Sequence, residues 1–441
     1  APRLAMAAAL LAARTAAVAS EREDRRQRLL ETLRSIWALH MTSWMLLADA
    51  RTDTYLKHFG GDTTASAGLQ ARGMVFMLVS NLALAPFFAK LSEKYGRRAL
   101  LLLSPLYSLL LRTIELLSPR ARTLFLTNAL AAPVNMGPMG VSICVADLCI
   151  GDPSRTGMEM ARISTGTYVA AVLGPAVGAA LTAGGVRRPV ALSALLSLLQ
   201  GWLVLRHMPE TSPAFLARNR RRLQAQAGEA QGPAQVAPAI PRQGGLLWRI
   251  TPGLGALLVA QLLAFVSEPI LVSRIGSLVL AESLGWGTAA RGRYAALEAL
   301  CSIPGMFASG HAQKKLGTAP TLMLGSVAAL AQHLLCGWWV KESWQQCLMP
   351  LVAMLRGLGV APLGAMLQRA VEDAGIAQAE FSGLRSALQS FAALVATILW
   401  SRWFSHCVHI GKPRRFHLGP AAVAGAELAL GCLALGLGGA A

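Results

Sequence analysis

Apolar stretches of similar length recur down the chain, separated by short basic clusters and by Gly and Pro. A helix needs about 20 apolar residues to cross the hydrocarbon of a bilayer, and the segment must be helical because its backbone amides have no water to bond. The pattern predicts spans at about 33–55, 70–90, 97–118, 123–147, 161–184 and 189–208. After a polar stretch it predicts six more, at about 249–280, 292–311, 318–340, 346–368, 381–405 and 417–439. The span at 70–90 opens with the polar Gln70 and Arg72, and the one at 381–405 holds Arg385, Gln389 and Arg402. Polar positions inside a span point to a neighbouring helix or a wet cavity rather than to lipid.

The expected organisation is an N-terminal tail over 1–32, a six-helix bundle over 33–208, a linker over 209–248 and a second six-helix bundle over 249–441. The linker is marked by Pro209, Pro213, Pro233, Pro238 and Pro241 and by the run Arg218, Asn219, Arg220, Arg221, Arg222, the composition of a flexible basic connection. An even number of spans puts both termini and the linker on one side. Arg22, Arg25, Arg26 and Arg28 ahead of the first span make that side cytoplasmic, while Arg187–Arg188, Arg291–Arg293 and Arg414–Arg415 fall opposite. Residues 1–20 are Ala-rich, basic and free of acidic residues. They read either as an organellar transit peptide or as a cytoplasmic tail, and the chain begins with Ala rather than Met.

Composition agrees with the pattern. Of 441 residues, 54% are hydrophobic and 14% charged, against about 25% charged in a soluble domain, and the mean hydropathy is +0.47. A soluble enzyme, a disordered chain and a disulfide-stapled module are excluded. The formal charge of +19 would suggest nucleic acid in a soluble protein. Here it reflects loops that face anionic headgroups, because no basic helix with interleaved aromatics lies outside the apolar segments. The seven Cys are scattered through apolar runs without metal-ligand spacing and read as small core hydrophobes.

Between the second and third spans stands LAPFFAKLSEKYGRRALLLLS. It resembles the signature loop of the major facilitator superfamily, with Glu93 in the acidic place and Lys94, Gly96, Arg97 and Arg98 matching the rest; Ala89 replaces the first glycine. The resemblance continues with Asp147 at the end of the fourth span, in VADLCIGDPSRTGMEM. It also covers LGPAVGA in the fifth span, where Gly174, Pro175 and Gly178 are similar to the Gly-Pro motif of the drug/proton antiporter, tetracycline-resistance-like branch. Thr127 and Asn128 occupy the region where that branch carries a basic residue on the fourth span. An internal echo supports two like halves: GHAQKKLG, Gly310 to Gly317, follows AKLSEKYG, Ala89 to Gly96, with Lys314 and Lys315 beside the final Gly.

The resemblance implies an all-α polytopic fold of twelve transmembrane helices in two pseudo-symmetric six-helix bundles. It implies that Glu93 faces the end of another helix while Arg97 pairs with Asp147, a latch for one of two alternating states; the residues themselves would equally serve to fix topology. It implies a kinked, closely packed helix at Gly174, Pro175 and Gly178. It also implies a cavity lined by the first, fourth, seventh and tenth helices.

Ionisable residues at membrane depth are functional candidates. Glu268 beside Pro269, and Arg356 among Gly357, Gly359 and Gly364, sit near the middle of the seventh and tenth spans, where the glycines would leave room for a substrate. They read as a permanent ion pair, or as a carboxylate for a proton or cation beside an arginine for an anionic group. Asp49, near the outer end of the first span, joins them as a cavity candidate. Asn135, between Pro133 and Pro138, would hydrogen-bond a substrate from a broken helix or satisfy freed carbonyls. Glu298 and Glu427 read as packing partners, and Gln261, Gln332 and His333 as interhelical hydrogen-bonding residues. Trp202, Trp338, Trp339, Trp344, Trp400 and Trp403 read as headgroup anchors.

No Walker loop, paired metal motif or Ser/His/Asp arrangement occurs in the extramembrane stretches. The expectation is a non-enzymatic integral membrane protein without cofactor. It would move a small solute by alternating access, with proton antiport ahead of uniport or symport of a sugar or organic ion, or of a non-transporting receptor or scaffold. The expected partners are the lipid bilayer, a small-molecule substrate and protons, without nucleic acid, in a monomer.

Overall fold

The computed structural model describes residues 2–149, 153–212, 215–219, 251–267, 269–376 and 378–438, and contains no strand among them. The helices of nine residues or more are α1 (Pro2–His58), α2 (Thr63–Tyr95), α3 (Arg97–Leu117), α4 (Ala121–Ala129), α5 (Gly137–Leu148), α6 (Pro153–Thr182) and α7 (Arg187–His207). The second half continues with α8 (Pro252–Ser267), α9 (Pro269–Leu284), α10 (Thr288–Leu316), α11 (Thr318–Trp338), α12 (Ser343–Arg356), α13 (Val360–Asp373), α14 (Gln378–His409) and α15 (Leu418–Gly438). Two pairs are single rods with a break: α4/α5 around the turn Val134–Met136, and α12/α13 around the turn Gly357–Gly359; α8 and α9 flank position 268 and count as one rod. Each half is then a six-rod bundle. Eight rods are long and apolar enough to cross a membrane among the described residues. Most of the linker and Glu268 lie outside the described residues.

The halves repeat each other in detail. α2 stops at Gly96 (φ 94°, ψ 164°), whose N–H reaches the Ser92 carbonyl. α10 stops at Gly317 (φ 94°, ψ 163°), whose N–H reaches the Gln313 carbonyl. A residue with a Cβ adopts that backbone only with strain, so glycine ends both helices. The rods that follow, α3 and α11, are 21 residues each.

Every break is resealed. Carbonyls freed inside a membrane have no water to bond, and an unsatisfied one costs several kcal/mol. Ser104 Oγ donates to the Val134 carbonyl at the first break, and Ser309 Oγ donates to the Leu358 carbonyl at the second, both at 2.8 Å. In the seventh rod, Pro269 has no N–H to give. The Val266 carbonyl there accepts from Trp400 Nε1 at 2.9 Å, and His333 hydrogen-bonds the Ser267 carbonyl. Trp400 is therefore a buried seal and not a headgroup anchor. Trp403 likewise turns inward, its Nε1 donating to the Phe416 carbonyl at 3.1 Å. Trp338 and Trp344 remain exposed.

Small residues decide where rods touch. A Cβ on Gly174 would collide with Met45, and one on Gly178 would lie 2.5 Å from the Leu46 carbonyl oxygen, so α6 presses its backbone onto α1. The glycines of the tenth span are used the same way. A Cβ on Gly357 would lie 2.8 Å from the Ser302 carbonyl, and Gly359 packs backbone to backbone on Gly325. The space expected there for a substrate is filled by α10 and α11; only Gly364 has nothing within 4 Å.

The halves meet along two seams. In the first, α2 lies on α14, with Met74, Met77 and Leu78 clustered against Ala393. Ala67 and Trp400 mark one end of this seam, and Ala89 against Gly383 the other. In the second, α6 lies on α10, where Gly292 fits against Ala179 and the Pro175 carbonyl. Replacing Gly178 by Val should force α6 off α1 and destabilise the protein by about 1–3 kcal/mol, the usual range for overpacking. A lowered midpoint in detergent thermal unfolding is the expected result; Gly364→Ala should leave it unchanged.

Candidate functional site

The Gly96 turn places Arg97 and Arg98 at the start of α3, where the first backbone N–H groups have no partner within the helix. The carboxylate of Glu210, just beyond α7, accepts from the Arg97 and Arg98 N–H groups at 2.8 and 3.2 Å. A Cβ on Gly96 would collide with that carboxylate. The buried Arg97 side chain reaches Asp147 Oδ2 through Nε at 3.1 Å and Ser92 Oγ through Nη1 at 2.6 Å. Arg98 donates to the Leu205 carbonyl at 2.5 Å. Glu93 and Lys94 are exposed, and Lys94 lies over the Tyr95 ring at 5.2 Å. Glu93 makes no ion pair or hydrogen bond among the described residues. Glu210 caps a helix end with its carboxylate, which is favoured at a helix N-terminus; the sequence signal for it was an acid directly after Pro209.

Beside this cluster α1 is tied to α6. Glu159 is fully buried and joins Arg34 and Arg162, the latter at 2.7 Å. Arg155 pairs with Glu23, and the hydrogen bond from Arg155 holds the Glu23 carboxyl below its usual range.

Within the N-terminal half lies a charge cluster that the apolar runs of the sequence conceal. Glu115 sits between two guanidiniums, accepting from Arg51 Nη2 and from Arg112 Nη1, each at 2.7 Å, and from Thr127 Oγ1 at 2.5 Å. Arg51 also reaches Asn128 Oδ1 at 3.3 Å and lies over the Trp44 ring at 5.7 Å. All three charged side chains are buried. The available signal was Arg112 and Glu115 three apart inside the third span, one turn of a helix. Thr127 and Asn128, where a basic residue was expected, meet these charged groups from α3 and α1.

In the C-terminal half, Arg356 Nη1 donates to Gln332 Oε1 at 2.9 Å and lies 3.8 Å from Glu298 Oε1. Gln332 Nε2 donates to the same Glu298 oxygen at 2.9 Å. The described partner of Arg356 is therefore Glu298 on α10, bridged by Gln332 on α11. The expected partner, Glu268, lies outside the described residues. Arg356 at the end of α12 points into its own bundle because the turn after it redirects the rod.

Asp49 is half-buried on the face of α1 that meets the other half: a Cβ on Gly292 would lie 3.5 Å from Asp49 Oδ2. Arg291, next in chain, attracts both Asp49 and Asp53 and reaches Ser277 Oγ at 3.1 Å. Nearby, Thr63 Oγ1 donates to Glu282 Oε2 at 3.0 Å, a second polar contact between the halves. Asn135, half-buried in the turn between α4 and α5, donates to Met77 Sδ at 3.0 Å. Among the described residues no group of three or more His, Cys, Asp or Glu could hold a metal ion.

Two like bundles of long helical rods, each broken in its fourth rod, with eight rods apolar and long enough to cross a membrane among the described residues, define a polytopic membrane protein. The family model of the Major Facilitator Superfamily matches residues 35–397, and the chain belongs to that family. In fold it is similar to the human organic anion transporter MFSD10 (TETRAN), with a TM-score of 0.68 and 16% identity over 92% of this chain and 99% of that one. It is also similar to a peptide transporter, POT, solved as a point mutant in complex with sulfate. There the TM-score is 0.64 and the identity 16%, over 93% and 94% of the two chains. No curated protein matches it by sequence.

Removing one partner of a buried ion pair leaves an uncompensated charge and costs about 3–5 kcal/mol. Glu115→Ala should show a loss of that order, read as a large fall in the thermal midpoint. Glu93→Ala, at an exposed position, should leave the midpoint in place.

Proposed function

We propose that the protein exchanges a small solute for protons by alternating access of its two halves, with Asp49 as the proton carrier. The observation that carries this reading is Asp49 on α1, set against Gly292 and within the attraction of Arg291, both on α10 of the other half. Attraction between unlike charges on two bodies holds only while the bodies touch, so protonating Asp49 weakens contact at that end. The Arg97–Asp147–Glu210 cluster lies at the opposite end, which on this reading is the cytoplasmic one. The cluster keeps the loop end of the N-terminal half rigid while the halves rock. Gly174 and Gly178 seat α6 on α1 within the N-terminal half, and the Pro175 carbonyl beside them lies against Gly292 of the other half, a backbone contact along which the halves can rock.

In proteoliposomes with an internal pH dye, solute entry should move protons the opposite way. Asp49→Asn should cut proton-driven flux by about tenfold, the equivalent of about 1.4 kcal/mol. Solute flux that leaves the internal pH untouched would overturn the exchange in favour of facilitated transport. Full proton-driven flux in Asp49→Asn would overturn the role of Asp49.

A further inference from the structure

Glu427 lies midway along α15 and has two polar neighbours among the described residues. Its Oε2 is 3.5 Å from Ser267 Oγ on α8, and its Oε1 is 3.5 Å from Ser326 Oγ on α11. The rest of its surroundings is an apolar crevice lined by Ala260, Leu322, Met323, Leu363 and Gly431. In α8, α11 and α15 these residues lie on the same side of Glu427 as the Gly96 and Gly317 turns, so the crevice runs from the carboxyl toward the loop end.

The hydrogens available do not suit a carboxylate. An ionised acid accepts charge-assisted bonds of about 2.5–2.7 Å from hydroxyls, and both hydroxyls here stand much further off. Ser267 has one hydroxyl hydrogen, and its Oγ already lies 3.1 Å from the Ala264 carbonyl, which can only accept. With Glu427 ionised, two acceptors compete for that hydrogen. With Glu427 protonated, its O–H donates to Ser267 Oγ, Ser267 donates to Ala264, and Ser326 donates to the other carboxyl oxygen. A metal cation such as sodium or calcium is a poorer occupant, since hard cations take about 6–8 oxygens and the described residues offer it one carboxylate and two serine hydroxyls, with apolar side chains beyond them.

We propose that Glu427 is a proton-binding site, loaded through the crevice from the loop end and linked through Ser267 to the seventh rod. Proton binding forms one O–H bond on the carboxyl and consumes nothing else. Ser267 belongs to α8, the first part of the seventh rod, and His333 holds its carbonyl, so a change in its hydroxyl bonding acts where that rod packs against α11 and α15. The titratable groups on the surrounding elements are few. From α11 comes His333, and from the foot of α15 comes His417, whose ring stacks on His333 at 6.1 Å. α13 carries Arg369 and Asp373 beyond Leu363, toward the loop end, and no charged side chain among the described residues acts on Glu427. The role in transport rests on the proton-exchange reading; the protonation does not.

Infrared spectroscopy of the purified full-length protein tests the site directly. The wild type should show a protonated-carboxyl stretch at neutral pH that is missing in Glu427→Gln and shifted in Ser326→Ala. Absence of the stretch from the wild type overturns the proposal, and so does its loss on adding sodium at constant pH, which would make the occupant a metal ion. In proteoliposomes the pH dependence of flux, up to tenfold per pH unit for one proton, should flatten in both Glu427→Gln and Ser267→Ala. An unaltered profile in both would overturn the link to the seventh rod. If a pH gradient drives no flux in the wild type, the exchange reading fails, while the infrared band still decides the site.

Discussion

A backbone carbonyl freed inside a bilayer must find a donor from within the protein, and this demand shapes the molecule more than any single charge. Among the described residues two rods are interrupted, and each interruption brings in a side chain from a different rod: Ser104 from α3 and Ser309 from α10. A donor can reach only if its rod passes close, and closeness requires glycine. Gly137 sits against Ser104, and Gly357 and Gly305 against each other's rods. The break, its donor and its glycines are one device, present in matching form in both halves.

The second consequence concerns where charge is allowed. The ion pairs Arg34–Glu159, Arg51–Glu115, Arg97–Asp147 and Arg356–Glu298 each close within one half. Such pairs are expensive to open, because each would leave a buried charge unmatched, so they make each half a rigid body. Along the α2/α14 seam the halves meet instead through Ala, Gly, Met and Leu, which separate and rejoin with small loss, and the polar contacts between halves gather at the Asp49 end. Rigid halves joined at smooth seams are what a rocking motion needs.

The rods were legible because a membrane imposes a length and an apolar content on each of them, and the Gly96 and Gly317 turns were legible as a repeat. The site was only partly legible. Arg97 and Asp147 meet across 50 residues, which no local pattern announces; the family motif alone points to it. Arg51, Arg112 and Glu115 pass as ordinary members of apolar runs, and their meeting depends on how α1 and α3 face inside the bundle. Arg356 was expected to line a cavity beside Glu268, and the structure sets it against Glu298 and Gln332. The glycines that suggested open space in fact mark helix contact, since a missing Cβ looks the same in a sequence whether ligand or backbone fills the gap.

The pseudo-symmetry stops short of the loops, and that difference has mechanical meaning. The turns at Gly96 and Gly317 share their backbone angles, but only the first is followed by an arginine pair that an aspartate and a glutamate can hold. At the second, Thr318 and Ala319 follow, and Lys314 and Lys315 make no ion pair among the described residues. With the first loop tied to α5 and to the end of α7, the loop end of the N-terminal half moves as one piece. Among the described residues the second loop is fixed by its backbone turn and by Thr321 Oγ1, which donates to the Gly317 carbonyl at 2.7 Å. α10 carries Arg291 and Gly292 at one end and this uncharged turn at the other. The two halves thus share the backbone device that ends a helix, while the charged ties built onto it belong to the N-terminal half, where an aspartate and a glutamate from later rods reach the first turn of α3.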